Sequence, residues 1–226
     1  MTRRWGRCGK DALRKGPWDF LRRPSPSKLH PMSEALPPRR PADLERTLLE
    51  YDAQLSGCRS LFLDKMHDYG TAWRILRPSS LTDQIFIKAQ RIRTLQEGGV
   101  RKVEEGIQPE FVGIVNYCMM ALVQLELDGD APLELESGEA TRLYDRAVSQ
   151  TRSLMEKKNH DYGEAWRDMR VSSLTDLILM KLLRIKQLED LEGGAKVSEG
   201  VDAGYMDMAN YALFALFHLA AGQSTT

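Results

Sequence analysis

The chain has 226 residues, 42% of them hydrophobic and 28% charged, and its 32 Lys/Arg balance 32 Asp/Glu to a net charge of zero. That composition is ordinary for a soluble globular protein and excludes a collagen-like or low-complexity chain. The balance hides an asymmetry: residues 1–42 hold eleven Lys/Arg against three Asp/Glu, so the body carries eight excess negative charges, the wrong sign for a nucleic-acid-binding surface.

Residues 1–42 read as an appendage. Pro24-Ser25-Pro26-Ser27 and Pro37-Pro38-Arg39-Arg40-Pro41 break any helix, and no apolar run builds a core. Three readings stay open: a disordered basic tail, a non-native start with Met32 as the true initiator, or a targeting peptide. No window of seven apolar residues suggests a secretory leader. Any contact with nucleic acid is expected through this tail and not through the body.

From Asp43 to about His67, Leu44, Leu48, Tyr51, Leu55, Cys58, Phe62 and Met66 recur at helical spacing. Ser137 to His160 repeats the pattern. Each helix is expected to stop at Asp-Tyr-Gly, where Gly70 or Gly163 can take the left-handed conformation of a helix end. A short turn carrying Trp73 or Trp166 follows. The second helix is expected to open on Ser79-Ser80 or Ser172-Ser173, with Ser80/Asp83 and Ser173/Asp176 at capping-box spacing. It runs to about Gln96 and Asp190 and breaks at Gly98-Gly99 and Gly193-Gly194. The third spans about Pro109–Leu127 and Ala203–Ala220. The apolar stretches Phe111–Leu127 and Tyr205–Ala221 are short for a bilayer span and contain polar residues, so they read as buried helices and no membrane partner is expected.

The two halves are one pattern written twice. Residues 65–95 align with 158–188 at a constant offset of 93, and 19 of the 31 pairs are identical. A gapless repeat of this kind is a tandem duplication. The expected fold is all-α, two modules of about three helices each packed as a pseudo-twofold pair. The boundaries are a tail at 1–42, repeat one at 43–127, a linker at 128–136, repeat two at 137–222 and a short tail at 223–226. Cys8, Cys58 and Cys118 are widely spaced and odd in number, which points to a reducing compartment, the cytoplasm, and to no disulfide framework.

Most repeated residues are polar or aromatic, and a core alone needs only volume and periodicity. Lys88 and Arg91 share a helix face, as do Lys181 and Arg184. Set among apolar neighbours, such a pair demands a carboxylate or an anionic ligand, and phosphate is the natural candidate. Tyr69, Tyr162, Trp73 and Trp166 are either core or a stacking platform for a base. Arg74, Arg167, His67, His160, Asn116 and Asn210 complete the candidate nucleotide-binding set. Asp68 and Asp161 sit at helix ends, as turn caps or metal contacts; Asp83 and Asp176 are caps first and metal ligands second. Glu110 and Asp207 differ between the copies. Asp207, inside an apolar helix, needs a cation, a metal or a hydrogen-bond partner, whereas Glu110 near a helix start is explained by the dipole alone.

Both halves, over roughly 51–125 and 144–220, resemble the nucleotide modification associated domain of type 1, a domain of unknown function. The resemblance rests on K-x-H-D-Y-G-x-A-W-R, S-S-x-T-D-x-I-x-x-K-x-x-R and the late Asn-Tyr, each present twice. It implies a place in nucleotide or DNA-base modification. The late acidic pattern, split between Glu110 and Asp207, is also similar to that of the all-α nucleoside-triphosphate pyrophosphatases of the MazG and dimeric dUTPase type. That second likeness implies Mg²⁺, with Asp68, Asp83, Glu110, Asp161, Asp176 and Asp207 as its ligands, although the early E-x-x-E of those enzymes is missing. The expected function is nucleotide binding, in its strongest form Mg²⁺-dependent phosphoanhydride cleavage with no catalytic residue assigned. The alternative is a non-catalytic helical scaffold or accessory protein.

Overall fold

Apolar residues three and four apart produce six long helices, with no strand among the described residues. They are α1 (Pro41–Tyr69), α2 (Pro78–Gln96), α3 (Gln108–Glu126), α4 (Ser137–Tyr162), α5 (Val171–Asp190) and α6 (Val201–Gln223), with 3₁₀ turns at Ala72–Ile75 and Ala165–Asp168. The computed structural model describes residues 41–98, 106–127, 131–190 and 200–223. The basic tail with Met32 and Cys8, the centre of the linker (128–130), Gly99 and the Gly193-Gly194 break lie outside the described residues. No described helix is long and apolar enough to cross a membrane.

Helix ends follow local chemistry, with two departures from expectation. Gly70 takes the expected positive φ of 58° after α1. Gly163 has φ 70° and ψ −166°, which is not the left-handed helical region but the mirror-extended one that only glycine enters cheaply. The second departure is at α2. Pro78 occupies the first turn, Arg77 is the residue before it, and no side-chain cap forms. Proline supplies its own helical φ and lacks the N–H a cap would satisfy, so the helix opens upstream of the serines. The expected Ser80/Asp83 capping box is therefore absent, and α5 likewise opens early, at Val171. Asp83 and Asp176 are left to find other partners.

α3 and α6 pack on each other at the centre, α2 and α5 lie beside them and against each other, and α1 and α4 cover the pair. α3 buries Phe111, Ile114, Val115, Cys118, Met119 and Leu122, so it is apolar around most of its circumference, as a central helix must be. α1 contributes the single stripe Tyr51, Leu55, Cys58, Phe62 and Met66. Each fully buried large apolar side chain is worth about 1.5–3 kcal/mol. One hydrophobic cluster runs through both repeats, and residues 39–226 form one compact unit.

The pseudo-twofold shows in contacts that occur in reciprocal pairs. Arg59 meets Asp145 at 2.7 Å, and Arg152 meets Asp52 at 2.7 Å. Tyr51 donates its hydroxyl to Asn210 Oδ1 at 2.6 Å, and Tyr144 donates to Asn116 Oδ1 at 2.7 Å. Asn116 Nδ2 donates to the Cys58 carbonyl at 3.1 Å and Asn210 Nδ2 to the Thr151 carbonyl at 3.3 Å. Lys186 pairs with Asp83 at 2.5 Å, and Arg93 lies 3.9 Å from Asp176. The two asparagine-to-carbonyl bonds lie each within its own repeat; in the other pairs residue i of one repeat meets residue j of the other and j meets i, the signature of an isologous interface. A duplicated sequence has here made an internal dimer.

Candidate functional site

Where the repeats differ, a cleft opens. In the first repeat the end of α1, the 3₁₀ turn, α2 and α3 enclose about 600 Å³, within the range of small-molecule sites. Phe62, Met66, Trp73, Leu76 and Met120 form its apolar wall, Tyr69 and Tyr117 add rings, and Lys65, Lys88 and Glu110 supply charge. Lys88 enters from the middle of α2. Its stem crosses Gly113 of α3, where a Cβ would come within 2.6 Å of Lys88 Cε, so the glycine makes room for it. Lys88 Nζ lies 3.1 Å from Glu110 Oε2 and 5.9 Å from the centre of the Tyr117 ring. Arg91, one turn further along α2, pairs with Glu110 Oε1.

The second repeat replaces six of these positions: Asp207 for Gly113, Gly204 for Glu110, Phe214 for Met120 and Asn159 for Met66, and, apolar for apolar, Met155 for Phe62 and Met169 for Leu76. Lys158 and Lys181, the counterparts of Lys65 and Lys88, each meet one oxygen of the buried Asp207, Lys181 at 2.7 Å. Two cations on one carboxylate answer the desolvation problem that Asp207 posed in the sequence. Phe214 stacks on Trp166 at 4.3 Å, and Trp166 Nε1 donates to Asn159 Oδ1 at 3.2 Å. Trp73 lacks that bond because Met66 offers no comparable acceptor, and its buried Nε1 is unpaired among the described residues. Gly204 lets Ile185 pack closely: a Cβ there would stand 2.9 Å from Ile185 Cδ1, and that side chain would have to shift.

A family model described as Nucleotide modification associated domain 1 matches residues 65–125 and 158–219, more than half of the chain and both repeats. The chain belongs to this family. No curated protein and no solved structure matches it.

In this family member, Lys88, Tyr69, Trp73, Asn116 and Glu110 come together in the first-repeat cleft, and Arg91 joins them through Glu110. Lys181 and Asp207 meet in the second repeat, with Arg184 beside Gly200 and Gly204. Other candidates lie elsewhere. His67 and His160 project from helix ends with 88% and 89% of the side chain exposed, each beside its own neighbour, Asp68 or Asp161. Tyr162 is 73% exposed, much as Tyr69 is at 72%, but only Tyr69 lines the cleft. Arg74 turns away from the cleft and donates to the carbonyls of Ala131 and Pro132 at 3.4 and 3.2 Å, holding the segment that leads into α4. Arg167 lies over the Trp166 and Phe217 rings and pairs with Glu50 and Glu164, both at 2.5 Å. Asn210, like Asn116, spends its amide on the inter-repeat network.

The six carboxylates expected to hold a metal do not assemble. Asp68 and Asp161 are exposed, Asp83 and Asp176 reach across the pseudo-twofold, and Glu110 and Asp207 occupy different repeats, each between two cations. No group of three or more metal-ligating side chains exists among the described residues. These residues do not fit a Mg²⁺ site built by the protein alone. The described cysteines are no better placed for chemistry: burial pushes the Cys58 thiol up to about 12 and the Cys118 thiol further, which suppresses the reactive thiolate.

Sequence reasoning omitted Lys65, Lys158, Tyr117, Gly113 and Met120 from the candidate set. The lysines open the repeated motif and carried the same signal as Lys88. Gly113 and Met120 were detectable only as mismatches between otherwise similar halves.

Proposed function

We propose that the chain binds a nucleotide in the first-repeat cleft. Lys65 and Lys88 face the phosphate, and the base lies against Tyr69, Trp73 and Tyr117. The observation that carries this reading is one cleft of nucleotide size in which an aromatic and apolar wall faces two lysines. Base–aromatic stacking contributes about 1–3 kcal/mol per base, and lysine is a common phosphate partner as a point charge. Among the described residues Glu110 is the one carboxylate lining the cleft, and two cations hold it. Binding is therefore better supported than cleavage, and any Mg²⁺ would arrive with the ligand's phosphates.

Thermal shift with a panel of nucleotides, with and without Mg²⁺, tests the reading. A ligand at a hundredfold excess over Kd stabilises by about 2.7 kcal/mol, or roughly 5–10 °C for a chain of this size. Lys88→Ala should abolish the shift. A second reading, a scaffold without ligand, is favoured by one observation: Asn116, Asn210, Tyr51 and Tyr144 are consumed by the reciprocal network. Under that reading no nucleotide shifts Tm, and Lys181→Ala lowers stability alone.

A further inference from the structure

The second repeat displays, in its own side chains, what the first repeat is built to receive. Lys158 and Lys181 converge on the two oxygens of Asp207. Their counterparts Lys65 and Lys88 both line the first-repeat cleft, but the position between them is Gly113, with no side chain. Lys65 has no carboxylate at ion-pair distance among the described residues, and Lys88 turns sideways to Glu110. The aromatic half follows the same rule. Phe214 lies flat on Trp166, whereas its counterpart Met120 leaves the corresponding face of the Trp73 region lining open space.

We propose that Asp207 and Phe214 are a built-in stand-in for ligand, so that the chain takes one ligand, in the first repeat, consisting of a single phosphate group joined to a planar ring. The inference rests on the nucleotide-binding reading and narrows it to a nucleoside monophosphate. Charge decides the narrowing. Of the described residues that line the cleft, Lys65 and Lys88 against Glu110 leave one positive charge, which a phosphate monoester of about −1.5 to −2 at neutral pH meets closely. A triphosphate brings about twice the charge of the monoester, and no further cation lines the cleft among the described residues. The carboxylate in the second repeat marks where the phosphate sits in the first, between the two lysines, once the flexible Lys88 stem swings off Gly113 to meet it.

Isothermal titration of the full chain with a nucleoside, its 5′-monophosphate and its 5′-triphosphate, without Mg²⁺, tests this. The expected result is one monophosphate per chain, bound at least tenfold more tightly than the nucleoside and no more weakly than the triphosphate. Gly113→Asp, which writes the second repeat's residue into the first, should weaken the monophosphate at least tenfold with Tm retained. Lys65→Met, at an exposed position where folding is not at stake, should remove the advantage of monophosphate over nucleoside. Asp207→Gly should create a second, weaker site that inorganic phosphate alone can fill. Two monophosphates per wild-type chain, or a triphosphate bound tenfold more tightly than the monophosphate, would overturn the inference and leave nucleotide binding standing. No binding by any of the three ligands would overturn both.

Discussion

Replacing Tyr144 by Phe deletes one hydroxyl and isolates the contribution of the inter-repeat network. That hydroxyl donates to Asn116 Oδ1 at 2.7 Å inside the core. Asn116 cannot turn to a new donor without breaking its own bond to the Cys58 carbonyl at 3.1 Å. The net value of the lost bond is about 0.5–1.5 kcal/mol, and a stranded buried acceptor raises the cost into a range of about 1–3 kcal/mol. For a chain of this length each kcal/mol moves Tm by about 2–4 °C, so a fall of roughly 3–10 °C is expected. The pseudo-twofold makes a sharper demand. Tyr51→Phe strands Asn210 in the same geometry, at 2.6 Å, and should cost the same to within about 1 kcal/mol. Urea unfolding at neutral pH, followed by far-ultraviolet circular dichroism with an unchanged m-value, measures both. Tyr162→Phe, at a site 73% exposed, is the control and should change stability by less than about 0.5 kcal/mol. If both core variants match that control, the network does not hold the repeats together and the reasoning fails.

Other perturbations probe other parts. Gly163→Ala should destabilise by about 1–3 kcal/mol in the same urea assay, because φ 70° with ψ −166° is open to glycine almost alone; Gly70→Ala, at φ 58°, should cost less, about 1–2 kcal/mol. Burial raises the hydroxyls of Tyr51, Tyr144 and Tyr205 well above their ordinary value of 10.0. The folded chain therefore keeps protons that the unfolded chain releases. This stabilisation is complete below about pH 10 and is lost as pH rises beyond it, by about 1.4 kcal/mol per pH unit per tyrosine. A stability profile that stays flat to pH 11 would contradict that burial. Cys58 and Cys118 should react with a thiol reagent only as fast as the protein unfolds, and rapid labelling of native protein at either would place it outside the core.

The helices were legible because their cause is local. Of the seven residues that declare a stripe by spacing alone, Tyr51, Leu55, Cys58, Phe62 and Met66 are buried, while Leu48 is half-buried and Leu44, near the start of α1, is exposed. The duplication was legible for the same reason, as identity at a fixed offset. The direction of the polar residues was not. His67 and Asp68 lie two and three positions beyond Lys65 on the last turn of α1, and the sequence carries no mark that the lysine faces the cleft while they face solvent. Asp83 looked like a cap because Ser80 precedes it at the right distance, but Pro78 had already started the helix. Its partner Lys186 lies 103 residues away, a contact that depends on how the repeats dock. Arg74 and Arg167 were ambiguous in kind: a buried guanidinium serves a carbonyl or a carboxylate as readily as a phosphate.

Identity between the repeats proved to mean two different things. Tyr51 with Tyr144, Asn116 with Asn210 and Arg59 with Arg152 are the same in both halves because an isologous interface needs every residue twice, once in each role. Such positions would be kept in a duplicated scaffold that bound nothing. The differing positions have no such requirement, and four of them meet at one place: Gly113 against Asp207, Met120 against Phe214, Met66 against Asn159 and Glu110 against Gly204 lie at the cleft or its counterpart. Each second-repeat group at the first three positions meets a need within its own half. The carboxylate meets two lysines, the phenyl ring meets the indole face, and the amide meets the indole N–H. In the first repeat Lys88 turns to Glu110, while Lys65 and the Trp73 indole N–H have no such partner among the described residues beside a cleft of about 600 Å³. A half that satisfies itself at these positions supports the fold, and a half that does not is the one the proposed ligand would complete.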